Sequence, residues 1–120
     1  MSSITVTLDS ITCHGVSEGS HHDEVYVVYQ PDAGFPHRIP RNPLNHQSMQ
    51  GGDVWTIGQS MTFTRDLLIT LYDQDESFLP ALSDYLVSWD YTADAIPQTV
   101  SLTNPNGASY TLSVSVDVNA

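Results

Sequence analysis

The chain has 120 residues, of which 40% are hydrophobic, and fourteen acids face three bases for a formal net charge of -11 at neutral pH. That length fits one domain able to bury roughly two thirds of its unfolded surface. The charge excludes a nucleic-acid protein, which needs a basic face to release counterions, and equally a domain that docks on anionic lipid by its own charge alone.

The three bases are Arg38, Arg41 and Arg65, and lysine is absent. An acidic chain can still meet an anionic surface if a divalent cation bridges the two; solubility, or life in high salt, is the plain alternative. Cys13 is the only cysteine, so no intrachain disulfide forms and the redox compartment stays open. The start "MSSITVTLDS" has neither the basic segment nor the apolar core of a secretory signal, and no apolar run reaches bilayer length. These features predict a cytoplasmic protein or one peripheral to a membrane, with secretion lacking a classical signal left open. No repeat or linker divides the chain, so residues 1–120 read as a single domain.

Period-two alternation dominates from the start. "SITVTLDSI" puts Ile4, Val6 and Leu8 on one face and Thr5, Thr7 and Asp9 on the other. "DEVYVVYQ" reads as a strand rich in β-branched and aromatic residues. The segment from Gln30 to Asp53 is long, rich in proline and glycine, and holds Arg38 and Arg41. It exceeds an ordinary connection, so it is either a functional excursion or conceals a short strand. "MTFT", "DLLITLYD" and "QTVSLT" resume the alternation. In "SYTLSVSVDV", Leu112, Val114, Val116 and Val118 form the clearest inward row. "NPNG", beginning at Asn104, is a turn signal, so the last two strands are expected to form a hairpin. No window keeps a helical period, and seven prolines with seven glycines punctuate the strand ends. An all-β antiparallel sandwich is the expected class.

Acids gather at two places. One is "CHGVSEGSHHDEVYV", with Glu18, Asp23 and Glu24; the other is "ITLYDQDESFLPALSDYLVSW", with Asp73, Asp75, Glu76 and Asp84. Asp73 and Asp75, two apart where a strand opens into a loop, can aim oxygens at one point. Two carboxylates about 5 Å apart repel by roughly 3 kcal/mol at an effective dielectric near 20. Protonation, separation or a cation relieves that, and a hard ion with six to eight oxygen ligands describes calcium. A solvated acidic rim whose carboxylates never meet accounts for the same residues equally well. The EF-hand loop is absent, because Asp73-Gln74-Asp75 is followed by Glu76, Ser77 and Phe78 without the required glycine.

These residues also carry a resemblance. "HDEVYVVY" resembles the acidic start of a strand in C-two domains, the calcium-dependent phospholipid-binding sandwiches of the synaptotagmin and protein kinase C type. Asp23, Tyr26 and Val27 fit that family's Ser-Asp-Pro-Tyr-Val pattern with one residue inserted. "ITLYDQDE" is similar to its strand ending in Asp-x-Asp, "SDYL" to its later acid at Asp84, and "DVWTIGQSMTF" to its strand with a tryptophan and a following phenylalanine. The pieces occur in the family's order over most of the chain. The resemblance implies an eight-stranded antiparallel β-sandwich of C-two-like Greek-key form whose apical loops hold calcium. Asp23, Asp73, Asp75 and Asp84 match the ligand positions, with Glu18 and Glu76 as further candidates. The sequence departs from the pattern in three respects. Glu18 stands in for a leading aspartate, the interval from Asp75 to Asp84 is long, and valine, at Val87 or nearby, replaces a glycine. A lysine-rich groove for phosphoinositides has no counterpart.

Phe78, Leu79 and Leu82 lie inside the second acidic stretch. They form either a tip contacting a membrane or partner, with Phe78 and Leu79 at its front, or a short turn packed on the sandwich. Five histidines lack zinc-ligand spacing. Cys13 and His14 face apart on a strand, no Gly-x-Ser-x-Gly elbow occurs, and convex loops leave little cleft for paired carboxylates to act on a sugar. Trp55, Trp89 and Tyr91 suit a core better than a carbohydrate surface. The expectation is a non-catalytic calcium-binding module meeting anionic phospholipid or a protein partner, with Ca2+ as its only cofactor. The alternative is a metal-independent structural, adhesion or self-assembly sandwich.

Overall fold

Alternating apolar residues bury a face when two sheets close over one another, and the described residues do this with nine strands. The structure is a computed structural model that describes residues 3–17, 22–74 and 84–119. In chain order the strands are β1 (Ser3–Gly15), β2 (Asp23–Pro31), β3 (His37–Ile39), β4 (Gln47–Met49), β5 (Val54–Phe63), β6 (Asp66–Asp73), β7 (Asp84–Thr92), β8 (Thr99–Thr103) and β9 (Ser109–Asn119). One sheet runs β5-β1-β9-β8. The other runs β3-β2-β6-β7, with β4 also paired to β2. Every strand pair is antiparallel.

The expected count was eight, and the difference lies in the long segment after Gln30. There β3 pairs with Val27–Tyr29 and β4 with Asp23–Val25, so two three-residue pieces line successive halves of one side of β2. A single edge strand is thus broken in two by the intervening loop. Arg38 explains why the break is ordered. Its guanidinium donates to the carbonyls of Pro40, Asn42 and Asn45 and to Gln74 Oε1, and it lies 4.2 Å from the centre of the Tyr26 ring. Gln74 Nε2 in turn donates to Pro43 O at 2.9 Å, which fastens the loop to the end of β6.

Between the sheets lie Val6, Leu8 and Ile11 of β1, Val25 and Val27 of β2, Leu67, Ile69 and Leu71 of β6, and Leu112 of β9, all fully buried. Each such side chain contributes roughly 1.5–3 kcal/mol when taken from water. In β1 the buried positions are even up to Leu8 and odd from Ile11. The register shift between Leu8 and Ser10 moves the inward phase by one residue, and on β5 the same irregularity is accommodated by Gly58 at φ 70°. The last hairpin forms as expected: Gly107, at φ 102°, donates to Asn104 O at 2.9 Å, and Asn104 N–H donates to Ala108 O. The inward row of β9 is shorter than predicted, since Leu112 and Val114 are buried but Val116 is 37% exposed.

Candidate acidic site at one end of the sandwich

Three strand ends meet at one end of the β3-β2-β6-β7 sheet. Antiparallel pairing sets the last residue of β6, Asp73, opposite Val25 of β2 on one side and opposite Asp84, the first residue of β7, on the other. The sequence therefore brings Asp23, Asp73 and Asp84 to one end from positions far apart along the chain. Their environments differ sharply.

Asp23 has no solvent exposure. Ser17 N–H lies 3.2 Å from each of its oxygens, Ser17 Oγ donates to Oδ1 at 2.6 Å, and the Tyr110 hydroxyl donates to Oδ2. A carboxylate has about four lone-pair directions, and three donors here engage both of its oxygens. Burial, with Asp23 as its next cause, holds the Tyr110 hydroxyl far above the ordinary phenol range. Asp23 thus closes the start of β2 against β9, with both of its oxygens already engaged by protein donors.

Asp73 is half-buried and, among the described residues, accepts one bond, from Glu24 N–H at 2.7 Å. Its carboxyl is pushed up to about 6, chiefly by burial; the Glu24 bond opposes this, and the charges of Asp23, Asp84 and Glu24 add to it. Asp84 is exposed. Among the described residues, neither Asp73 nor Asp84 is paired with a base. Glu24 faces two imidazoles instead, with His22 Nε2 and His46 Nε2 each 3.8 Å from one of its oxygens. Of the other predicted site residues, Glu18, Asp75, Glu76, Phe78 and Leu79 lie outside the described residues, as does Leu82. Among those described, no group of three or more His, Cys, Asp or Glu side chains could hold a metal ion.

Sequence reasoning missed the partners of Asp23. Tyr110 falls on the same inward parity as Leu112 and Val114, and an inward tyrosine needs an acceptor for its hydroxyl, which was the available signal. It also missed an aromatic ladder on the outer face. Tyr26 stacks on Tyr72 with ring centres 5.3 Å apart, Tyr72 meets Tyr85 edge-on at 6.4 Å, and Arg38 caps the row. Tyr72 and Tyr85 immediately precede and follow Asp73 and Asp84 in sequence, so the ladder ends at the acids. Of the aromatics weighed for a sugar surface, Tyr91 is fully buried and Trp55 packs against the core, while Trp89 is 38% exposed.

No family model and no curated protein sequence matches the chain. Solved structures do. A C-two domain of plant extended synaptotagmin 1 superposes with a TM-score of 0.66 at 10% identity, covering 98% of this chain and 94% of that one. A structure described simply as a C-two domain matches with a TM-score of 0.60 at 11% identity over the whole of both chains. Human group IVD cytosolic phospholipase A2, solved with an inhibitor and terbium chloride, matches with a TM-score of 0.60 at 12% identity over 98% of this chain. This chain spans only 17% of that phospholipase. Identity this low speaks to architecture alone, and the architecture agrees with the strand order above: the chain is a divergent C-two-like β-sandwich.

Proposed function

We propose that the chain is a non-catalytic binding module whose acidic end takes up calcium. Asp73 and Asp84 are the described ligands, Asp75 and Glu76 complete the oxygen set, and Glu18 is an outer contributor. Asp23 contributes negative charge behind Asp73, its own oxygens being held by Ser17 and Tyr110. The observation that carries this reading is the Asp73–Asp84 pair, opposed across β6 and β7 with no base among the described residues to neutralise it. Two carboxylates are less than the six to eight oxygens calcium prefers, so the proposal depends on the acids between Asp73 and Asp84. Bound calcium supplies positive charge, offsets the repulsion from neighbouring acids that adds to the effect of burial at Asp73, and turns the end from negative towards neutral. An anionic phospholipid headgroup or an acidic protein surface can then approach, which suits a cytoplasmic or membrane-peripheral module. No described helix is long and apolar enough to cross a membrane.

Terbium luminescence tests the site directly. Tyr72 and Tyr85 adjoin the proposed ligands, so excited tyrosine should sensitise bound terbium, and calcium should compete the signal away. Absence of sensitised emission, together with an unchanged melting temperature at millimolar calcium, would sink the metal proposal and leave the fold untouched. Liposome sedimentation with calcium or chelator then separates a lipid partner from a protein one.

A second reading rests on its own observation. Asp23 is fully satisfied by protein donors, and no described group of three could hold an ion. On this reading the sandwich is a metal-independent structural or adhesion unit, and the calcium and chelator melts coincide.

A further inference from the structure

The long segment between β2 and β5 builds a second site, remote in character from the acidic end. A groove of about 590 Å³ opens where the edge of one sheet, β5, faces the edge of the other, β3. Tyr29 of β2, His37, Arg38 and Ile39 of β3, Arg41 beyond it and Gln59 of β5 line it. Its size falls within the range of small-molecule sites.

Charge singles it out. Two of the chain's three bases sit on this groove, in a protein of net charge -11. Among the described residues, neither Arg38 nor Arg41 has a carboxylate within salt-bridge reach; the ion pairs there are His22–Glu24 and His46–Glu24. Arg38 is immobilised by carbonyl and amide acceptors, which hold its position and leave its charge uncancelled. Arg41 makes no hydrogen bond among the described residues, so its fork of donors is available. No described acid lines the groove, and the Arg41 guanidinium, with no carboxylate partner among the described residues, attracts an anion there; the Arg38 guanidinium is turned to the outer face over Tyr26. Beside the arginines, the Tyr29 and His37 rings stack 4.9 Å apart and 20° from parallel. A stack of two rings on a groove wall offers a flat face or edge to a third.

We propose that this groove binds a small organic anion carrying a flat ring. Arg41 grips the carboxylate or phosphate, and the Tyr29–His37 stack receives the ring. The inference is independent of calcium binding, and chelator in every sample keeps the two apart.

The test is a nuclear magnetic resonance titration with phenyl phosphate, compared with inorganic phosphate and cyclohexyl phosphate. Phenyl phosphate is expected to shift resonances of Tyr29, His37 and Gln59 and to bind more tightly than either control. Arg41→Gln should weaken it about tenfold, the scale of one lost charge-assisted hydrogen bond, with an unchanged melting temperature because Arg41 makes no hydrogen bond among the described residues. Three results overturn the proposal: no shift at these residues with millimolar phenyl phosphate, equal affinity in the Arg41→Gln protein, or equal affinity for cyclohexyl phosphate.

Discussion

The two ends of β2 and β6 hold aspartates in opposite circumstances. At one end Asp32, just past β2, accepts hydrogen bonds from the backbone N–H groups of Thr64, Arg65 and Asp66 and from the Thr64 hydroxyl. The Arg65 N–H bond is the main reason its carboxyl lies below the ordinary range; slight burial opposes it, and the Thr64 and Asp66 bonds reinforce it. At the other end Asp73 has a single donor among the described residues, partial burial and three acidic neighbours, and its carboxyl rises to about 6, chiefly through burial. The residue type is the same and the sign is reversed. Donor supply decides it: a tight turn aims several backbone N–H groups at one point, whereas three strand ends bring carboxylates together and aim few donors at them. The end poorer in donors is the end where we propose an external cation.

Asp23 sits at the second end but behaves as though it belonged to the first, and it gives the largest expected effect. Asp23→Ala strands the Tyr110 hydroxyl and the Ser17 N–H and hydroxyl in the interior, at a cost of about 2–4 kcal/mol in urea unfolding. Tyr110→Phe removes one of those bonds and should cost about 1–2 kcal/mol. If Asp23→Ala costs less than Tyr110→Phe, the carboxylate is not held as described, and its oxygens become free to join a metal shell.

Calcium comes next in size. At a hundredfold excess over the dissociation constant, ligand linkage stabilises the folded state by about 2.7 kcal/mol, read as a higher melting temperature with calcium than with chelator. Asp73→Asn should abolish that shift. In chelator the same substitution should stabilise the protein. Because the folded carboxyl of Asp73 is raised, its favourable contribution is full below the unfolded value and is lost as pH rises through about 6. Asparagine keeps the acceptor for Glu24 N–H and never ionises. The gain at neutral pH is on the order of 1 kcal/mol, discounted because solvent screens a half-buried group, and it vanishes in acid.

Much of this comparison was legible in the sequence, and its limits have physical causes. Period two exposed β1, β2, β6 and β9 because each has one face in the core, as at Val6, Val25, Leu71 and Leu112. The strands β3 and β4 stayed hidden because three residues show no period and their partner lies earlier in the chain. The meeting of Asp23, Asp73 and Asp84 followed from acids at strand ends together with the family resemblance. What each acid does there did not follow, because it depends on donors from Ser17 and Tyr110 that only packing brings near. The groove at Arg41 was equally silent: the clustering of arginines was visible, but their lack of carboxylate partners is a fact of three dimensions.

The smallest expected effect closes the comparison at the Asp32 end. Asp32 adopts a left-handed backbone, φ 53°, that asparagine also tolerates, so Asp32→Asn changes charge and leaves the turn. The folded carboxyl is lowered, so its stabilisation is present above the unfolded value and is lost as pH falls through the lowered one. Asp32→Asn should therefore lower the melting temperature at neutral pH, and the gap from the parent should close in acid. Asp73→Asn moves the melting temperature the other way, over a higher range, between the unfolded value and about 6. Melting curves of both variants across pH, in chelator, should diverge from the parent in opposite directions as pH rises. If they move together, the carboxylates share a common response to net charge, and the contrast between a donor-rich turn and a donor-poor strand end fails.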